Sequence, residues 1–299
     1  MEHPWKKVQV DSEEHWRQLV RPSKKIQFGL VWLFVGTTLL AVCLAPYVWK
    51  TTRLRRQQYA LEQLGEYGQS ATLVDGWVRS IDLGYRPESV NGDVEDAPEI
   101  DLLMGYLELL PALEQIDLTQ SRLGMGGIRQ LAKRGKLKEL ILLNVNIGDD
   151  ELAQLADLKN LEKLNLCQTK ITDAGLIHLK RITNLRELEL SAVGLSWANS
   201  RPQITDAGVA VLRHLSTLER LSLSQSFITD RAVEELAQLN GLRDLDISGT
   251  FISSQGIQEL RQALPNCTIV HGAMRGWKED QLFADGKLFA DPARAKKKK

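Results

Sequence analysis

Apolar positions in this chain follow two patterns. From Ile26 to Trp49 the sequence reads IQFGLVWLFVGTTLLAVCLAPYVW, without an Asp, Glu, Lys, Arg or His. A helix of 24 residues rising ~1.5 Å each spans ~36 Å, enough for a hydrocarbon core of ~30 Å. It lacks the polar face that a buried helix of a soluble protein carries. The pattern predicts one membrane-crossing helix over 26–49, with Tyr47 and Trp49 at the headgroup level and Lys24, Lys25 and Lys50 flanking it. The second pattern is periodic and covers Val78 to about Val270. A skeleton LxxLxLxxxxI followed by a helical stretch starts at Leu113, Leu137, Leu161, Leu185, Leu218 and Leu242. The spacings are 24, 24, 24, 33 and 24 residues, so the 33 is one unit plus a nine-residue insertion. A degenerate copy begins at Val78, and another closes the array near Cys267.

Each unit divides into two halves. LxxLxL predicts a short parallel strand with leucines inward and the intervening residues on one sheet face. The second half starts a helix, with Asp173, Asp206 or Asp230 near its N-terminus, where a carboxylate is expected to accept backbone N–H groups of that helix. Leu176, Leu179 and Ile182 form its inward stripe. One unit cannot bury that stripe alone, so neighbours must stack. The expected fold is an α/β, right-handed solenoid with short parallel strands on the concave face and helices on the convex face.

These units resemble leucine-rich repeats. ITDAGL at 171–176, ITDAGV at 204–209 and ITDRAV at 228–233 are similar to the cysteine-containing class, known from F-box substrate receptors and from bacterial membrane-anchored arrays. The closing LRQALPNCTI and the basic RLRRQQYALEQLG after the apolar run are similar to the bacterial arrays. The resemblance implies a leucine-rich repeat solenoid and an interaction role. It departs from other repeat classes where Asn or Cys would stand, at Ser121, Val145, Thr169, Val193, Ser226 and Thr250, so no Asn ladder is expected. No F-box-like helical module precedes the array; the apolar run occupies that place.

The domain reading is a basic N-terminal segment (1–25), a transmembrane helix (26–49), a juxtamembrane helix and linker (50–70), the leucine-rich repeat domain (71–270) and a C-terminal cap with a Lys-rich tail (271–299). A cleaved signal peptide fits poorly: the segment before the apolar run is long, and Pro46 follows the small-residue site at Ala45. Arg17, Arg21, Lys24 and Lys25 precede the run, and Lys50, Arg53, Arg55 and Arg56 follow it, so the positive-inside rule is tied. The expected orientation has the short N-terminal segment cytoplasmic and the repeat domain extracytoplasmic.

Candidate chemistry is sparse. Gly124-Met125-Gly126-Gly127 falls in register with TDAG, and no Lys-Ser/Thr pair follows it, so a phosphate loop is not expected. His178 and His214 lie on the helical halves of separate repeats without metal-ligand spacing. Cys167 and Cys267 are four repeats apart, beyond disulfide reach. The expectation is no catalytic, cofactor or metal site.

A surface remains. The residue between the leucines of LxL forms a column of Asp82, Asp117, Ile141, Asn165, Glu189, Ser222 and Asp246. Beside it Leu143 joins Ile141 in a small apolar spot that suits a partner's anchor residue. The insertion 196–203 carries Trp197 and Arg201, residue types enriched at interface hot spots. Two readings stay open for both features: a binding surface, or the polar concave face and tolerated loop of any such solenoid. The acidic stretch 84–99 lacks EF-hand spacing and reads as a solvated loop. Phe283 and Phe289, in a short tandem, are expected to cap the last repeat.

Net charge is zero, but unevenly spread: residues 65–270 carry −9, whereas 50–64 carry +3 and 271–299 carry +4. An acidic array favours a protein partner with a basic patch and disfavours nucleic acid. The expected function is a single-pass membrane-anchored interaction module. The alternatives are a structural envelope or scaffold component without a discrete ligand, and a ubiquitin-ligase-like substrate receptor suggested by the repeat resemblance alone.

Overall fold

The leucine skeleton builds a single ladder. In the computed structural model, β2 (Trp77–Asp82), β3 (Gln115–Asp117), β4 (Glu139–Ile141), β5 (Lys163–Asn165), β6 (Glu187–Glu189), β7 (Arg220–Ser222), β8 (Asp244–Asp246) and β9 (Thr268–Val270) pair in parallel and in chain order. The structure describes residues 24–65, 70–85, 100–191 and 204–272, together with the two-residue strands β10 (Phe283–Ala284) and β11 (Lys287–Leu288). Side chains at 24–36, at 39 and on β10 and β11 lie outside the described set. The register places Ile81, Ile116, Leu140, Leu164, Leu188, Leu221, Leu245 and Ile269 in one row. All but Ile269 are at most 2% exposed. The degenerate units at both ends thus join the same sheet.

Residues 1–55 and 56–299 form two units. In the first, α1 (Lys24–Gln63) contains Pro46, and Thr51 and Thr52 donate their hydroxyls to the Tyr47 and Val48 carbonyls. The Arg53 guanidinium lies 3.9 Å over the Trp49 ring. Among the described residues no helix is long and apolar enough to cross a membrane. Much of the 26–49 run lies outside the described side chains, so the span stands as the sequence expectation.

In the second unit, the other helices are α2 (Asp101–Met104), α3 (Met125–Ala132), α4 (Asp149–Leu155), α5 (Asp173–Leu176), α6 (Asp206–Leu212), α7 (Val233–Ala237) and α8 (Ser254–Ala263). Consecutive helices pack on one another, and the stripe Leu176, Leu179, Ile182 is fully buried. β3, β4, β5, β7 and β8 are each followed, three residues on, by a left-handed residue that ends the extended run. Gln120, Asn144, Gln168 and Gln225 have φ of 57°, 53°, 58° and 59°, and Gly249 has 68°. Their N–H groups still bond the next repeat, as Asn144 does to the Cys167 carbonyl at 2.9 Å. The buried hydroxyls replace an Asn ladder only locally: Thr169, Ser226 and Thr250 bond carbonyls three residues back, and Ser121 alone reaches the preceding repeat, at the Leu83 carbonyl.

The expectation that each Asp serves its own helix is corrected. Asp149 accepts the Thr172 N–H at 2.8 Å and the Thr172 hydroxyl at 2.6 Å, one repeat onward. Asp173 holds Thr205 in the same way, Asp206 holds Thr229, Asp230 takes the Ser253 N–H, and Asp101 takes the Gly124 N–H. The threonine then caps its own helix: the Thr172 hydroxyl accepts from the Ala174 N–H. The glycine of TDAG makes room for the preceding repeat's carboxylate. A Cβ on Gly175 would stand 2.2 Å from Asp149 Oδ1, and one on Gly208 2.2 Å from Asp173 Oδ1. The GMGG segment obeys the same rule, with Gly127 against Asp101. Where Met125 replaces the Asp, Glu151 fills the glycine place and accepts the Gly148 N–H; ITDRAV departs from the rule, with Ala232 in that place after Asp206, and there the helix starts as a 3-10 turn over Asp230–Ala232.

The first repeat is closed by elements that the period does not announce. β1 (Thr72–Val74) pairs antiparallel with β2 through Asp75-Gly76, both at positive φ, a two-residue hairpin turn. Within the second unit, the end of α1 covers this edge with Ala60 and Leu64 buried. Buried Gln57 clamps the hairpin backbone, donating to the Gly76 carbonyl at 3.0 Å and accepting from the Val78 N–H at 2.9 Å. Gln57→Leu leaves both groups without their partner and is expected to destabilise the array by about 1–3 kcal/mol. Hydrogen exchange should show the loss concentrated at Val78; unchanged protection there would disprove the clamp.

Candidate functional site: the open face of the sheet

Alternate residues of a strand share a face, so both neighbours of each central leucine project away from the core. These neighbours give two columns, and the residues two places before each central leucine, just ahead of every strand but β2, add another. Ahead of the strands run Arg79, Glu114, Lys138, Glu162, Arg186, Glu219 and Arg243, each N–H bonded to the previous member's carbonyl. Their signs alternate without a break. The second column, Gln115, Glu139, Lys163, Glu187, Arg220 and Asp244, alternates from Glu139 onward in the opposite phase. Together they form a checkerboard.

Its ion pairs run between repeats. Glu114 lies between Arg79 and Lys138, the latter at 2.8 Å, and Glu219 lies between Arg186 and Arg243. Glu187 is held by Lys163 at 3.1 Å and by Arg220. The Lys138 hydrogen bond lowers the pKa of the Glu114 carboxyl, and Glu114 raises that of Lys138 in return. The cations of these pairs are exposed and only the carboxylates are partly buried, so each pair adds little to stability. What they do is cancel charge.

The third column is different. Asp82, Asp117, Ile141, Asn165, Glu189, Ser222 and Asp246 are brought into one row, completed by Val270. Among the described residues Asp117, Glu189 and Asp246 enter no ion pair. Asp117 accepts from the Thr119 N–H, Asn165 from the Cys167 N–H and Asp246 from the Ser248 N–H, each at 2.8–2.9 Å. One side-chain oxygen thereby closes the turn into the left-handed residue and fixes the side chain. Asn165 also donates to Glu189.

Next to this row the surface is small and polar. Ser191 and Ser222 hydroxyls are 2.8 Å apart, and Ser224 bonds Ser191 at 2.9 Å. Burial raises the pKa of the Cys167 thiol, with the Glu189 charge adding to it, so this cysteine is not a ready nucleophile. Ile141 and Leu143 are half-buried. Over β6–β9 the face holds a shallow depression of about 170 Å³, lined among others by Glu187, Glu189, Arg220, Ser222, Asp244 and Asp246. No group of three or more His, Cys, Asp or Glu among the described residues is arranged to hold a metal ion.

The parallel ladder, its buried leucine row and its stacked helices decide the architecture. The described array is a leucine-rich repeat solenoid. No family model matches the chain, and no curated protein matches it. The solved structures similar to it include two from Listeria monocytogenes. An internalin (inlF) shares 22% identity at a TM-score of 0.45, over 64% of this chain and 47% of its own. An internalin C2 shares 22% identity at 0.46, over 71% and 78%. The chain thus spans about half the length of the first.

The sequence-predicted residues Asp117, Ile141, Asn165, Glu189, Ser222 and Asp246 share one row of this repeat face, and Leu143 lies beside it. Trp197 and Arg201 lie outside the described residues, as do Phe289 and the side chain of Phe283. Glu187, Arg220 and Asp244 were not anticipated. They stand two residues before the third column, and the period-2 rule places them on the same face.

Proposed function

We propose that this leucine-rich repeat protein is a non-catalytic interaction module, anchored by a single membrane helix at 26–49, that binds a protein partner through a basic segment. In this reading the repeat domain is extracytoplasmic. The observation that carries it is the contrast between columns: two cancel their own charge, while Asp117, Glu189 and Asp246 stay without cations on the same face. A surface with one row of unneutralised carboxylates beside small hydroxyls suits Lys and Arg side chains.

The test uses the full chain in zwitterionic detergent and a fluorescent oligolysine peptide as probe. Converting both Glu189 and Asp246 to Lys is expected to weaken binding about tenfold or more, as ~1.4 kcal/mol or more of lost attraction requires. Parent-like binding by the double variant would refute the acidic-face reading. For the orientation, an impermeant protease should degrade the array on intact cells; degradation only after permeabilisation would reverse it.

A spacer without a discrete ligand is the second reading. The turn-closing bonds of Asp117, Asn165 and Asp246 favour it, since they give the column a structural task. It expects no difference between parent and variant.

A further inference from the structure

We infer that the basic end of this chain, Arg294 to Lys299, docks on its own open sheet face over β6–β9. The inference rests on the acidic-face reading above and names an occupant for that face.

Charge complementarity comes first. The depression over β6–β9 is bordered by the carboxylates of Glu189, Asp244 and Asp246, which enter no ion pair among the described residues, and by Glu187, which Lys163 and Arg220 already neutralise. Residues 294–299 read RAKKKK, and the nearest acidic residue before them is Asp291. No comparable run of cations occurs elsewhere beyond the array.

The exit of the chain comes second. The Gly249 N–H bonds the Gly272 carbonyl at 2.7 Å, which fixes the backbone beside the turn that ends β8. Asp246 pairs with Val270 in the same ladder, so the chain leaves the array next to the depression it would cover. From β9 to β6 is three strand spacings, ~14 Å. Even with 283–288 folded as a hairpin, the 15 other residues between Gly272 and Arg294 reach ~50 Å when extended. The tether therefore spans the distance with length to spare, and a short tether holds its end at an effective concentration of about a millimolar.

At that concentration the tail competes with any basic partner for the face. For a partner segment binding in the ~0.1 mM range, a tethered competitor of equal intrinsic affinity weakens apparent binding about tenfold. The array would then respond only to partners that outbid its own tail.

Two measurements on the full chain in zwitterionic detergent test this. Carbodiimide, which joins amines to carboxylates in direct contact, is expected to link Lys296–Lys299 to Glu189, Asp244 or Asp246 within one chain, with a yield independent of dilution. Links that vanish on dilution would mean a second copy, and tail lysines that link nowhere on the face but bind anionic vesicles would mean a lipid surface; either overturns the proposal. In the second, a chain with Lys296, Lys297, Lys298 and Lys299 changed to Ser should bind oligolysine about tenfold more tightly than the parent. Equal, measurable binding by both overturns the tail proposal alone. Absence of binding by both overturns the acidic-face reading together with it.

Discussion

Gly175→Ala is expected to destabilise the array by about 2–3 kcal/mol, far more than a glycine-to-alanine change in an unstrained helix, where alanine is favoured by up to ~1 kcal/mol. The new Cβ would stand 2.2 Å from Asp149 Oδ1 and 2.9 Å from its Cγ. The carboxylate cannot retreat without releasing Thr172, whose N–H and hydroxyl it holds at 2.8 and 2.6 Å. Either the helix start is rewound, as over Asp230–Ala232, or the clip opens, and each alternative costs ~1–3 kcal/mol. In an Asp149→Ala background the closest remaining neighbour is backbone, at 3.2 Å, and the same Gly175→Ala change should cost under ~1 kcal/mol. The chain shows both ways out: Glu151 occupies the glycine place in the repeat whose predecessor has Met125 instead of Asp, and Ala232 occupies it beside an intact Asp206–Thr229 clip, where Asp230–Ala232 is wound as a 3-10 turn instead of an α-helix. Urea unfolding of the four combinations measures the coupling. Equal penalties in both backgrounds would mean that the carboxylate is not why the glycine is there.

Leu188→Ala should be the other large effect, at about 2–5 kcal/mol. Leu188 is fully buried, sits mid-ladder between Leu164 and Leu221, and belongs to the repeat that carries the insertion. In a stacked array each repeat is stabilised chiefly by its neighbours, so a cavity at the centre weakens two interfaces at once. Urea unfolding is expected to change from one transition to two, with hydrogen exchange separating residues before and after 188. Ile269, half-buried in the last strand of the ladder, has one neighbouring repeat among the described residues, and Ile269→Ala should cost less than half as much without splitting the transition. Similar losses at both positions would contradict nearest-neighbour stabilisation.

The ladder was legible because its cause is repeated: six copies of one leucine spacing admit one stacking solution. The clips were not, because an Asp close to a helix start satisfies the rule for capping its own helix just as well. Only the stacked geometry shows that Thr172 lies against Asp149 and Thr205 against Asp173, 23 and 32 residues away. The hairpin at Val74-Asp75-Gly76-Trp77 carries a turn signal, yet it lies outside the repeat, so periodicity gives no account of it. On the open face, the third column follows directly from LxL. The second requires carrying the alternation one step towards the N-terminus, where Glu187, Arg220 and Asp244 wait.

The checkerboard gives the array a parity. Because sign alternates from one repeat to the next, excising a single repeat would bring Lys138 beside Arg186, or Glu162 beside Glu219, and turn attraction into repulsion along the whole seam. Excising two in succession restores the match. The electrostatic unit of this protein is therefore a doublet of repeats, twice the length of the structural unit. An array of this kind can be lengthened or shortened smoothly only in even steps.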